Sequence, residues 1–389
     1  MSIISVGPTG QFATIHQAVA ASASGDTIEV QAGVYTNDFT TIRHSLTLTA
    51  VGGWVQLITD NAQPPDGKAY ITEGAAGISV TISGFAISGV TVPDGNGAAI
   101  RYEGGNLTLD NDYIFNNQEG ILGAADLSGS ITITNSEFAR NGLGGDGHTH
   151  GIYVGPVSEF TLTNSYIHDT NIGHEVKSRA QNNVITNNRI FDNDASASYS
   201  VDLPNGGTAT ITGNVIQQGP NSQNPAILAY GEEGIPAGYQ TGATVAGNTI
   251  VNDQGSGYLL LNPGGYPVSL SGNTVFGLTQ IPSGNTALAT RPVLDLASIQ
   301  FLGSSAQPPP PTTDPPPPPP PPPDPLPDPS PTPVLTPLEQ YHADVLADFQ
   351  AWAPLHVKLA TMDRTLKILN TELTSTTVLG IIKGDRWSN

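Results

Sequence analysis

Apolar and polar residues alternate in short bursts through the first three quarters of the chain, and one burst recurs. It reads VTISGFAI from Val80, LTLDNDYI from Leu107, ITITNSEF from Ile131 and FTLTNSYI from Phe160. It continues as NVITNNRI from Asn183, ATITGNVI from Ala209, ATVAGNTI from Ala243 and VSLSGNTV from Val268. The period of two predicts strands with one buried face, each broken by a turn at Asn, Gly or Ser. The residue two places before each final apolar one runs Phe85, Asp112, Ser136, Ser165, Asn188, Asn214, Asn248, Asn273, at intervals of 27, 24, 29, 23, 26, 34 and 25. A unit this short cannot bury its apolar face alone. Stacked at a strand spacing of about 4.8 Å, successive units make a continuous core. Insertions in projecting turns then account for the uneven interval. Asn side chains at an inward turn would satisfy one another as an amide ladder.

These features predict a parallel β-helix. The opening stretch GQFATIHQAVAASASGDTIEVQAGVYT agrees with it. Phe12, Ile15, Ala18 and Val19 fall on one helical face, followed by a Gly-Asp turn and the strand TIEV. A helix there covers the first coil, an edge that would otherwise pair with other chains. This stretch resembles the start of the right-handed parallel β-helix proteins of the pectin-lyase-like superfamily, over roughly residues 1–300. The resemblance implies an all-β, single-stranded right-handed solenoid with an N-terminal capping helix. That fold hosts lyases, hydrolases, epimerases, esterases, tailspikes and adhesins, so it does not fix an activity.

The pattern changes after residue 306. Residues 307–333 are nearly all proline with Asp and Thr. They predict a stiff polyproline II spacer of about 3.1 Å per residue, on the order of 80 Å in all. Residues 334–389 regain helical periodicity, with Thr336 as N-cap, Pro337 at the first helical position and a break or kink at Pro354. Val345, Leu346, Phe349 and Trp352 form a stripe too small for its own core, which predicts a tail that docks on a partner or self-associates. The domains are thus 1–306, 307–333 and 334–389.

Charge narrows the partners. A formal net charge of −20 opposes nucleic acid and any generic grip on an acidic polysaccharide. An anionic glycan would need local cations or a bridging metal ion. Cysteine is absent, which excludes disulfides and thiolate metal sites. The N-terminus has neither the charged region nor the apolar run of a cleavable leader, and no segment has the apolar length of a membrane span. With the resemblance, an extracellular or cell-surface location is the expectation.

Four of the eight histidines lie between His148 and His174, and Lys177, one of two lysines before residue 300, stands beside them. A second strand in each coil (AAIRYEG, GILGAA, HGIYVG, HEVKSR, YSVDLPN) explains the crowding. If Ile100, Ile121, Ile152, Val176 and Val201 point inward, Arg101, Leu122, Tyr153, Lys177 and Asp202 form an outward row. Glu175 and Ser200 are the expected outward neighbours on the other side. His148, His150, Tyr153, His174, Glu175, Lys177, Arg179, Tyr199 and Asp202 then share a patch about 10–15 Å long. The plain alternative is a solvated face with cross-strand ion pairs among Glu175, Lys177 and Asp202.

Around Lys177 the stretch HEVKSRAQNNVITNNRI resembles the chondroitinase B and alginate lyase family. There a VKS strand before an Asn turn supplies a base lysine, which maps onto Lys177. The arginine acid that the family carries on the next coil is replaced here by Asp202. The resemblance implies β-elimination or C5-epimerisation of a uronate polysaccharide. Lys177 is then the base or the carboxylate-neutralising cation, and Tyr153 with His150 or His174 the acid/base partners. Asp202 orients the lysine, Arg179 clamps substrate, and Glu175, Arg101, His148 and Tyr199 line the site. Glycoside hydrolysis by paired carboxylates ranks lower, with Asp202, Glu175, Glu232 and Glu233 as candidates. No cofactor is fixed; calcium on Asp146, Glu175 or Asp202 suits an anionic substrate, and His148, His150 and His174 offer a transition-metal alternative. The competing class is a non-catalytic, surface-displayed glycan binder, adhesin or tailspike-like protein.

Overall fold

The computed structural model describes residues 1–144 and 149–294. The spacer and the helical tail expected from the sequence lie outside the described residues. Within them the chain winds as a parallel β-helix, every strand pairing in parallel with its counterpart one coil away. Three walls enclose the core. Two are continuous around a corner, as in Asp126–Thr134 followed by Glu137–Ala139. The third is a separate nine-stranded sheet that runs from Thr40–Ile42 to Tyr258–Leu261.

The recurring burst makes the corner between the first two walls. Its turn residue adopts a left-handed backbone in every coil: Gly84, Asn111, Asn135, Asn164, Asn187, Gly213, Gly247 and Gly272 have φ between 49° and 83°. Asn and Gly tolerate that region best, which is why they recur there. The next residue points inward and builds the ladder. The Asn214 Oδ1 accepts from both the backbone N–H (2.8 Å) and the side-chain amide (3.0 Å) of Asn188. Asn248 receives Asn214 in the same way, and Asn273 receives Asn248. Ser165, Ser136 and Asp112 continue the chain of bonds downward to the Phe85 N–H.

On the third wall, Ile71, Ile100, Ile121, Ile152, Val176, Val201 and Leu228 stack in one inward row, all essentially inaccessible. This stack fixes register, because a slip by one residue would bury the opposite set. The helix Ile15–Ala21 closes the N-terminal end with Ile15, Ala18 and Val19 buried. Thr14 accepts from the Gln17 N–H as N-cap, and Asp38 accepts from the N–H groups of Ile15 and His16. Among the described residues no helix is long and apolar enough to cross a membrane.

Candidate functional site

The inward stack on the third wall places the residue after each member on the outer face. That row pairs Arg101 with Leu122, Leu122 with Tyr153, Tyr153 with Lys177, and Lys177 with Asp202. Residues about 24 apart in sequence thus become neighbours about 4.8 Å apart. The strands Ile152–Val154, Val176–Ser178 and Val201–Leu203 hold the centre of the site.

Lys177 is the hub. Its Nζ lies 3.0 Å from Asp202 Oδ2 and 3.2 Å from Glu233 Oε1. Burial pulls the lysine pKa down, but the two carboxylates outweigh it and hold the group above the usual lysine range. It is an ammonium at neutral pH. Arg179 stands two residues on, with Nη1 2.7 Å from Glu233 Oε2 and 2.6 Å from Asn205 Oδ1. Its Nε donates to the Tyr153 hydroxyl at 3.0 Å, and its guanidinium carbon sits 5.9 Å from the centre of that ring. Two cations therefore grip the two oxygens of one carboxylate, with a phenol bonded to one of them.

The histidines form the flank. The His174 backbone N–H donates to His150 Nδ1, and the two Nδ1 atoms lie 3.1 Å apart. His174 Nε2 is 3.4 Å from Asp202 Oδ2. Burial lowers the His174 pKa to about 4, Asp202 notwithstanding, so the imidazole is neutral at pH 7. His150 stacks against Tyr153 and Tyr199 stacks against His174, at 5.5 and 5.3 Å between ring centres.

The structure corrects several expectations. Asp202 is fully buried and Lys177 only 9% exposed, so the row is not displayed to solvent. A turn after the strand Ala226–Tyr230 is tied over it: Glu233 N–H donates to Pro204, Asn205 Nδ2 to Gly234, and Tyr239 Oη to Arg179. Glu175 is not an outward neighbour and does not face the site. It precedes its three-residue strand, in a bend that sends its carboxylate into the interior, where the Thr170 N–H and hydroxyl bind it. Burial, with Asp192 nearby, raises its pKa well above the carboxylate range. Ser200 is likewise buried. Arg101 stays on the row but two rungs from Tyr153, paired with Glu103 at 2.6 Å. His148 and Asp146 lie outside the described residues.

The sequence did not place Glu233, Asn205 or Tyr239 beside Lys177. Glu233 is 56 residues from it and arrives on an insertion rather than a rung. The one available signal was the longest repeat interval, 34 residues, between Asn214 and Asn248. Glu232, the other turn carboxyl, is pushed up to about 8 by burial and by the Asp202 charge. The calcium expectation does not fit the residues named for it, because Glu175 faces the interior and Asp202 carries Lys177 and His174. Among the described residues no group of three or more His, Asp or Glu side chains can hold a metal ion.

Comparison with known proteins agrees on the fold. A family model described as the right handed beta helix region matches residues 124–288. The class is thus the right-handed parallel β-helix. A solved structure of a mutant PL6 family alginate lyase, AlyGC, is similar at a TM-score of 0.40 and 17% sequence identity, over 71% of this chain and 40% of that one. The chain spans about two fifths of that protein's length. No curated protein matches the chain.

Proposed function

We propose that the protein acts on an acidic, uronate-containing polysaccharide by removing the proton on the carbon that bears the carboxylate. One observation carries this reading. Lys177 and Arg179 hold a single carboxylate between them, and the Arg179 Nε supports the Tyr153 hydroxyl at 3.0 Å. Removing a proton beside a carboxylate builds negative charge on that carboxylate. Preplaced cations stabilise it where water would have to reorganise. Lys177 is charged and Arg179 always so, which gives both the neutralising role. Tyr153 is the proton-handling group, because a phenolate is favoured by the guanidinium that donates to it.

In β-elimination the C–H electron pair becomes a carbon–carbon double bond, the glycosidic oxygen leaves, and the proton taken by the phenol can pass to that oxygen. Elimination is favoured over epimerisation because Tyr153, His150, His174 and Tyr199 all stand on one wall. Epimerisation must return a proton from the opposite face of the sugar. The test is incubation with a panel of uronate polysaccharides, with and without calcium, followed by ultraviolet absorbance for an unsaturated product and NMR of the polymer. New absorbance supports elimination, and inverted uronate signals without it support epimerisation. Glycan binding with neither product assigns the protein to the non-catalytic class.

A further inference from the structure

The carboxylate in the fork belongs to the protein itself. We propose that Glu233 is an internal stand-in for a substrate carboxylate, displaced when a uronate binds, so that the Lys177–Arg179 fork is the subsite selecting a carboxylate-bearing sugar. This deepens the reading above and rests on it.

The contacts of Glu233 are those a uronate would make. Its Oε1 lies 3.2 Å from Lys177 Nζ and its Oε2 2.7 Å from Arg179 Nη1, one oxygen to each cation. Charge-assisted pairs of this kind are directional and read the planar carboxylate shape. Neither cation depends on Glu233 to stay in place. Lys177 keeps Asp202 at 3.0 Å, and Arg179 keeps Asn205 and Tyr153 at 2.6 and 3.0 Å. The fork therefore survives the departure of Glu233 with its geometry and one uncompensated positive charge.

Glu233 is also free to leave. Its side chain is 44% exposed, whereas that of Asp202 is fully buried. A solvent-exposed carboxylate exchanges its ion pairs at little cost. The turn that carries it contains Gly234 and Gly238 at φ of 91° and 90°, with open space where a side chain would stand. A neutral sugar offers no charge to trade for Glu233, so the occupied fork discriminates against it.

Self-occupation weakens apparent affinity by the fraction of molecules with an open fork; if Glu233 fills it nine-tenths of the time, the loss is about tenfold. The test is calorimetric titration of the full chain with galacturonate and mannuronate tetrasaccharides, comparing wild type with Glu233→Gln and Glu233→Ala. Glu159→Gln on another wall, exposed and equally charge-changing, controls for bulk charge, and urea unfolding checks that each variant is folded. Both Glu233 variants are expected to bind about tenfold tighter, with Glu159→Gln unchanged. Equal or weaker binding by the Glu233 variants, where wild type binds, overturns the stand-in while leaving the proposed function intact. Equal tightening by Glu159→Gln also overturns it. If no form binds either tetrasaccharide, the proposed function fails and the stand-in with it.

Discussion

Lys177 is nearly buried, and the carboxylate beside it, Asp202, is wholly so. A buried ion pair contributes little net stability when intact, but removing one partner strands the other in a poorly solvating site. Lys177→Ala is therefore expected to lower unfolding free energy by about 3–5 kcal/mol. The double change Lys177→Met with Asp202→Leu should recover most of that in urea unfolding. A Lys177→Ala protein as stable as wild type would mean that Asp202 is not held as an anion. The row containing these residues was legible in the sequence because its inward companions are all Ile or Val, and alternation did the rest. Glu175 was misread for a related reason. Alternation holds only inside a strand, and the strand begins one residue later, at Val176.

Each coil is built from the corner outward. The left-handed turn at Asn or Gly and the inward residue that follows it are one device, repeated at every rung. Asn214 occupies its middle, accepting twice from Asn188 while its own amide donates to Ile185 O and Asn248 Oδ1. Asn214→Ala leaves several buried polar groups without partners at once. At about 1–3 kcal/mol for each such group, the variant should lose at least 3 kcal/mol in denaturant unfolding. Asn214→Ser should lose less, because Ser136 and Ser165 serve the same position two and three coils earlier. Equal losses for the two would show that the hydroxyl cannot substitute in an Asn context. The ladder was readable because side-chain identity and interval coincide. The covering turn was not, since insertions carry no periodic pattern and their direction is set by tertiary bonds such as that of Tyr239 to Arg179.

At the scale of the molecule, a solenoid touches itself only between neighbouring coils, so its ends are its weak points. The helix Ile15–Ala21 guards one of them, and it was legible from its amphipathic spacing. Val19→Asp places a charge on its buried face and should release the helix from the first coil. Light scattering and size-exclusion chromatography are expected to show higher-order species, because the freed strand edge can pair with another chain. A variant that stays monodisperse would mean that the coil end is protected by other means.

Every interval in the ladder reports how much chain a rung can spare, and the interval of 34 is the most generous. The surplus there bears Glu233, which makes the roof of the basin a module separable from its floor. Trimming that excursion, or grafting a basic or apolar one in its place, leaves the ladder partners of Asn214 and Asn248 untouched. One scaffold of this kind can thus change what it admits by editing a single overhang.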